Sequence, residues 1–428
     1  MGRASDLFYN SMAIDDRAEA KTLMFREIAP STTNYTDSFI DMLTTPLYSY
    51  QSIPITTNAG TVLKYLQYIR PEVLANGHVL TAFSALDNNE FLWSWGKNNT
   101  NGEWGNNTTG GTASVPVSVI GNRKFNQIIM TQSGVAALDY SGYAWTWGYN
   151  GNGRLGDNTG SDRSSPVSVV GNRQFVTVGA SYAGFIALDM SGFAWSWGAN
   201  GSGDLGDNTT THKSSPVSVV GGTNFVAISG NSGIDTYNDC WSWGNNVYGA
   251  LGDGSTTNRS SPVAMSGIRN IVQIGCNTTY NNLMLNFDGY CYAVGYNASG
   301  ELGDGTTINR SSPVSVIGGR KFSQIAIGFA GGGSVCFGLE DTGLLWAWGD
   351  NSTGAFGDGT VIKRSSPVSI RQGTRKFIQI AVNTDSVAAT DMDGNIWTWG
   401  VNSWGVGGGA VPNSNPLLLP GDFYGQVK

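Results

Sequence analysis

The motif Trp-x-Trp-Gly recurs along this chain at nearly even intervals, and this recurrence constrains the fold more than any other feature. It stands at Trp93-Ser94-Trp95-Gly96 and again at residues 145–148, 195–198, 241–244, 346–349 and 397–400. Tyr292-Ala293-Val294-Gly295 occupies the place where the rhythm demands a seventh copy. Successive motif glycines are 52, 50, 46, 51, 54 and 51 residues apart. Self-similarity at a period near 50 residues marks a solenoid, an array or a propeller. Each unit of such an architecture buries its face on the next, so 428 residues need no single large core.

One repeat, residues 172–221, resolves into four strands. Residues 175–179 alternate in polarity, residues 185–188 are apolar, and residues 193–197 carry a tryptophan pair. Asp189-Met190-Ser191-Gly192 has hairpin chemistry, because Gly accepts positive φ and Asp bonds its own backbone. A loop of about 17 residues then leads to a fourth strand at Ser215-Pro216-Val217-Ser218-Val219. Proline lacks a ladder donor and belongs on a sheet edge. Seven such units predict an all-β fold, a seven-bladed β-propeller of four-stranded antiparallel blades over residues 61–428. The repeats run approximately over 65–121, 122–171, 172–221, 222–267, 268–318, 319–373 and 374–421.

The tryptophans have a mechanical role in this reading. Residues two apart on a strand share a face, so each pair is expected to lay both indoles into one blade-to-blade seam. Twelve of the 14 tryptophans stand in these pairs. Burying ~150–250 Å² per ring at ~25 cal/mol/Å² contributes roughly 4–6 kcal/mol gross, before chain entropy opposes it.

A second device lies in the long loops. Five repeats carry a Gly-Asp step, at Asp157, Asp207, Asp253, Asp304 and Asp358. The same five carry a basic residue three before the proline: Arg163, Lys213, Arg259, Arg310 and Arg364. The first and last repeats lack both partners, with Asn106 and Ala113 in one and Gly408 and Asn413 in the other. Joint presence and joint absence predict a structural clamp across each loop, worth about 0–1 kcal/mol where partly exposed.

The string Trp-Gly-x-Asn-x-x-Gly-x-Leu-Gly-Asp followed by Ser-Pro-Val, best seen at residues 195–217 and 241–263, resembles the repeat of the regulator of chromosome condensation family. The likeness covers roughly residues 65–421. It implies a seven-bladed propeller and a binding role. Family members include a nucleotide-exchange factor for a small GTPase, a plant ultraviolet-B photoreceptor and a secreted β-lactamase inhibitor. The family's His after the inner strand survives only in Asn76-Gly77-His78, and the photoreceptor's Gly-Trp-Arg-His-Thr string is absent. The resemblance therefore carries the fold and not one activity.

The chain offers little to catalysis. Its two histidines, His78 and His212, belong to different repeats and suggest neither a zinc trio nor a catalytic triad. Residues 151–156 match Gly-x-Gly-x-x-Gly, but a loop and an edge strand follow where a dinucleotide site needs a helix. Asp391-Met392-Asp393-Gly394 resembles the start of a calcium loop, yet it fills the hairpin slot and lacks the distal Glu. Cys240, Cys276, Cys291 and Cys336 contain no Cys-x-x-Cys pair and read as buried free thiols. The expectation is a non-enzymatic protein with no cofactor and no metal. A net charge of −7 without a basic tract argues against nucleic acid, and no apolar run is long enough to span a membrane.

Binding is sought where repeats differ, since scaffold positions obey the pattern and face loops are free to vary. Tyr182, Tyr237, Tyr280 and Phe329 lie in or near the variable inner loops; Trp104, Tyr248 and Trp404 lie in the longer loops. Aromatic residues are common interface anchors. Residues 1–60 fall outside the repeat, with a helix expected over residues 15–28 and an extended Thr/Ser/Asn/Pro-rich stretch after it. Such an arm buries too little to order alone, and it is expected to dock onto other subunits of an assembly. Charged residues are only 13% of the chain, and Gly, Asn and Thr abound. The expected setting is a virion, as a phage tail, fibre, baseplate or decoration component whose propeller loops meet a host-surface protein or glycan. The alternatives are a cytoplasmic propeller of the exchange-factor type and a carbohydrate-binding adhesin.

Overall fold

The computed structural model describes residues 90–400, interrupted at 99, 131–133, 182–183, 278–279, 331, 383–385 and 394–395, together with segments 55–56, 62–63, 65–68, 82–86 and 413–418. The helix expected over residues 15–28 lies outside the described residues. Ile55–Thr56 pairs antiparallel with Val62–Leu63, so the stretch before the first repeat contains a short two-stranded ladder.

Seven four-stranded antiparallel sheets follow in chain order, each a simple meander. Among the described residues all regular structure is β apart from a 3-10 turn at Gly151–Gly153. Blade 3 is representative, with strands Phe175–Ser181, Gly184–Asp189, Ala194–Gly198 and Lys213–Ser218. Phe185 stands opposite Trp197 and Ala187 opposite Trp195. The fourth strand holds register at Val217↔Ser196 and shifts before Lys213↔Gly198, which leaves Pro216 on an edge where no ladder donor is missed. The first strands of neighbouring blades contact one another, as Phe125–Met130 does Phe175–Ser181, and so form the inner edge. The architecture is a seven-bladed β-propeller.

Tyr65–Tyr68 and Asn413–Leu418 each pair within their own sheet, so the two ends of the repeat region share no blade. Alternating strand direction defines two faces. The first-to-second connections and the long third-to-fourth loops lie on one, here the loop face. The second-to-third hairpins and the blade-to-blade links lie on the other, the hairpin face.

The seams hold the core, but the two indoles of a pair do not share equally in it. Trp147, Trp197, Trp243 and Trp348 are fully buried. Trp147 packs among Leu92 and Trp104 of blade 1 and Phe125 and Val135 of blade 2. The first indole stays half-buried at the rim. There an arginine from the incoming link covers it, Arg123 over Trp145 at 3.3 Å, Arg173 over Trp195 at 3.3 Å and Arg320 over Trp346 at 3.1 Å. Where the hairpin carries aspartate, that residue fixes the indole N–H: Trp195 Nε1 donates to Asp189 Oδ2 at 2.9 Å, while Asp189 Oδ1 accepts the Ser191 amide at 2.9 Å. Asp391 holds Trp397 in the same way at 2.8 Å, which employs the carboxylate of the calcium-like string. The buried indoles also tie blades together: Trp147 donates to the Glu103 carbonyl and Trp348 to the Glu301 carbonyl of the preceding blade, at 2.9 and 3.0 Å.

The four cysteines are buried and form no disulfide, and burial pushes the Cys240 and Cys291 thiols well above their ordinary range.

Candidate functional site

The loop face is built on an asparagine. Asn150, Asn200, Asn246 and Asn351, the Asn of Trp-Gly-x-Asn in four repeats, and Asn297 of the cognate Val294-Gly295-Tyr296-Asn297 are each fully buried inside their loops. Asn200 Oδ1 accepts the Leu205 amide at 2.9 Å, and its Nδ2 lies 3.0 Å from Asp207 Oδ1, 3.1 Å from the Thr209 carbonyl and 3.2 Å from the Thr211 carbonyl. One side chain thus gathers both limbs of the loop. The motif string contains this residue, but its spacing alone does not reveal that it is the hub.

The clamp forms around that hub in four of the five loops. Arg163 meets Asp157 at 2.7 Å, Lys213 meets Asp207 at 3.5 Å, Arg259 meets Asp253 at 2.8 Å and Arg310 meets Asp304 at 3.2 Å. The fifth is corrected: no ion pair joins Asp358 and Arg364 among the described residues. Asp358 keeps the bonds from the Thr360 amide and hydroxyl, at 2.9 and 2.8 Å, that its cognates also have, and Arg364 Nε is buried without a partner. Burial alone would raise the Asp157, Asp207, Asp253 and Asp304 carboxyls. Hydrogen bonds from the next-but-one Thr or Ser, the hub Asn and the clamp cation outweigh it and hold them below the usual carboxylate range.

The loops also link into a belt. The amides of Asn107, Asn158 and Asn208 each donate at 2.7 Å to the carbonyl of Ser164, Ser214 and Ser260 in the next blade. Gly254 and Gly305 do the same to Ser311 and Ser365 at 2.8 Å. The serine after each clamp cation is therefore the acceptor for its neighbour's loop. The belt bond forms at Ser365 too, where the clamp is absent.

The predicted binding aromatics divide. Tyr248 and Tyr280 come together on the loop face, stacked with ring centroids 5.6 Å apart at 17°. Tyr296, which the sequence reading did not single out, meets both edge-on at 4.9 and 5.7 Å. Its slot varies between repeats (Tyr149, Ala199, Asn245, Asp350), and that variability was the available signal. Tyr237 is corrected. Blade 4 has a short first hairpin, Ser229 pairing directly with Ser232, so Tyr237 falls in the Asp235 turn on the hairpin face and is 81% exposed. Trp104 is corrected as well: it is buried beside Phe125 and Trp147, filling the place that Leu155 fills in blade 2. Phe329 lies in the strand Gln324–Ala330, its backbone opposite Ser334. Tyr182 and Trp404 lie outside the described residues.

The tyrosine trio sits where the seam motif is degenerate. Between blades 4 and 5, Val294 replaces the buried indole, and Met265, Ile268 and Met284 fill the space. A polar arc crosses the loop face on either side of the trio. In blade 3, Asp204 Oδ1 accepts Asn231 Nδ2 at 3.1 Å. Asn282 Nδ2 reaches Ser232 Oγ at 3.3 Å and the Ala250 carbonyl at 2.9 Å. Asn281 donates to the Tyr296 carbonyl and accepts from Ser334 Oγ at 2.7 Å. Beyond it the Ser299 amide donates to Glu301 Oε2 at 2.7 Å, and Lys363 Nζ lies 3.0 Å from Asp350 Oδ2 and 2.8 Å from Ser299 Oγ. Burial pushes the Glu301 and Asp204 carboxyls up, with the Asp350 charge adding to the effect at Glu301. Burial, and then the Glu301 charge, push the Tyr296 hydroxyl up.

Three acceptors on this arc, Asn231 Oδ1, Asn282 Oδ1 and Glu301 Oε1, are buried with no hydrogen-bond partner. Among the described residues no cluster of three or more His, Cys, Asp or Glu could hold a metal ion. The arrangement can stack a planar group and accept hydrogen bonds.

The fold defines a class, the seven-bladed β-propeller of four-stranded antiparallel blades. Residues 141–188, 238–280, 288–332 and 342–389 match the regulator of chromosome condensation (RCC1) repeat, so the chain carries repeats of that family over these stretches. It is 30% identical over 127 residues to human probable E3 ubiquitin-protein ligase HERC3, and 26% identical over 123 residues to the ultraviolet-B receptor UVR8 of Arabidopsis thaliana. These alignments cover 29% and 28% of this chain but only 12% and 27% of those proteins. Among solved structures, human WBSCR16 superposes with a TM-score of 0.64 at 17% identity, over 77% of this chain and 92% of that one. Saccharomyces cerevisiae Prp20p, described with its binding to Gsp1p and histones, gives 0.62 at 20% identity, over 76% and 81%.

Proposed function

We propose that this chain is a protein-recognition propeller that engages its partner through the loop face, at the tyrosine cluster of blades 4 and 5. The observation that carries this reading is the half-buried Tyr248–Tyr280–Tyr296 trio, set where the repeat departs from its own pattern. Tyrosines offer large contact area at little rotamer cost, and they anchor many interfaces. The likeness to Prp20p, whose described partners are proteins, supports a protein partner over a small molecule.

A photo-crosslinking residue placed at Tyr280 is expected to capture a partner that the same residue at Tyr237, on the opposite face, does not. Replacing Tyr248 and Tyr280 together by Ala should abolish that capture while the blades stay folded. Equal capture from both faces would overturn the reading. The finer setting proposed is an assembly subunit of a virion, docked by residues 1–60, and the low charged fraction of 13% supports it. Deleting residues 1–60 should then leave a folded propeller that no longer incorporates. The exchange-factor alternative rests on the family and calls for a stoichiometric complex with a soluble GTPase.

A further inference from the structure

We propose that the polar arc across blades 3 to 6 is the seat of an extended, arginine-bearing segment of the protein partner, its guanidinium groups supplying the donors that the arc lacks. The inference rests on the loop-face reading above and deepens it.

Orphaned acceptors carry the argument. Native interiors pair nearly all buried polar atoms, and each exception needs a cause. Here three exceptions fall on one arc: Asn231 in blade 4, Asn282 in blade 5 and Glu301 at the boundary of blades 5 and 6. All are oxygens, so the missing partner donates. The two asparagines are 3% exposed and Glu301 is not exposed at all. The acceptors are not independent accidents, because hydrogen bonds tie each to the residues beside the next. Asn231 binds Asp204, its neighbour Ser232 receives Asn282, and Ser334, which donates to Asn281, adjoins Gly333. A Cβ on Gly333 would collide with Glu301 Oε1, so that glycine leaves the carboxyl its room.

Charge chooses among donors. The arc holds Asp204, Glu301 and Asp350 against one cation, Lys363, which is already committed to Asp350. No Lys, Arg or His bridges Asp204 or Glu301 among the described residues. Both carboxyls are raised by burial, the state of an acid that lacks its counter-ion. A neutral amide could satisfy the asparagines but would leave the carboxyls as they are. The tyrosine trio between the orphans then selects the kind of cation. A guanidinium is planar, stacks on aromatic rings and has five fixed donors, whereas an ammonium is a compact point charge. Acceptors spread over successive blades suit an extended segment with more than one arginine.

The probe is a short peptide, acetyl-Gly-Arg-Gly-Arg-Gly-amide, titrated into the full chain by calorimetry beside its citrulline counterpart. Citrulline keeps the shape and most donors and removes the charge. The arginine peptide is expected to bind at least tenfold more tightly, and Glu301→Gln and Asp204→Asn are each expected to cost it five- to tenfold. Both variants should keep the wild-type unfolding midpoint to within a few degrees at low pH; should one fail to fold, the other serves. Equal affinity for the two peptides, no arginine-peptide binding, or undiminished binding by both variants would overturn the proposal. So would a crystal soaked in the peptide that shows the three acceptors bonded to waters only. If Tyr248/Tyr280→Ala abolishes partner capture while Glu301→Gln does not, the arginine seat falls and the loop-face reading stands. If neither alters capture, both fall.

Discussion

Replacing Asn200 by Ala should destabilise blade 3 far more than breaking the ion pair beside it. The side chain is fully buried and has four partners within 3.2 Å. Its loss strands the Leu205 amide, since Leu205 is itself buried and water has no path to that N–H. It also removes one donor from Asp207, whereas the Thr209 and Thr211 carbonyls stand in the more exposed limb and can turn to solvent. One stranded amide and one weakened carboxylate amount to about 2–4 kcal/mol, at roughly 1–3 kcal/mol per buried unpaired group. Lys213→Ala removes a contact 3.5 Å long whose lysine is 28% exposed, worth about 0–1 kcal/mol after screening. Urea denaturation followed by tryptophan fluorescence measures both, and amide exchange at Leu205 localises the effect. The hub argument fails if Lys213→Ala costs as much as Asn200→Ala, or if Leu205 exchanges at the wild-type rate in the Asn200 variant.

Acid should loosen the clamped loops. The four clamp carboxyls titrate below their unfolded value of about 3.9, so their contribution is complete above that pH and is lost as pH falls through the lower folded values. Urea midpoints should drop between about pH 4 and 2, and Asp157→Asn with Asp253→Asn should flatten that drop. Glu301 has the opposite sign. Its folded pKa is raised above the usual ~4.3, so stability is present below that value and lost as pH rises through the folded one. Glu301→Gln should therefore raise the melting temperature at neutral pH and leave it unchanged near pH 4; a pH-independent effect would contradict the assignment. Gly206 has φ +66°, and a Cβ there would lie 3.0 Å from Trp243 Nε1 of the next blade. Gly206→Ala should cost about 2–3 kcal/mol, combining left-handed strain with overpacking, and calorimetric unfolding would reveal any smaller value.

Much of the molecule was legible because period and alternation are local properties. The tryptophan interval counts blades, Asp-x-Ser-Gly marks a hairpin, and the proline assigns the edge strand. Asp and Arg were readable as partners since they co-occur loop by loop. Arg364 shows the limit: it obeys the pattern, yet it forms no ion pair with Asp358 among the described residues and its Nε is buried without a partner. Trp104 and Tyr237 mark another limit. Trp104 stands eight residues after its motif glycine where Leu155 stands seven after its own, and the first hairpin of blade 4 is four residues shorter than that of blade 3, so burial and face depart from what local pattern reading assumes.

The chain alone determined seven like units, four strands in each, and loops that clamp themselves. All of these follow from interactions within about 50 residues of sequence. Only the folded ring decided which indole of each pair is dry, that both ends of the repeat region keep to their own blades, and that Tyr248, Tyr280 and Tyr296 meet. Those facts arise across seams, between residues of different repeats, where packing geometry rather than local preference sets who touches whom.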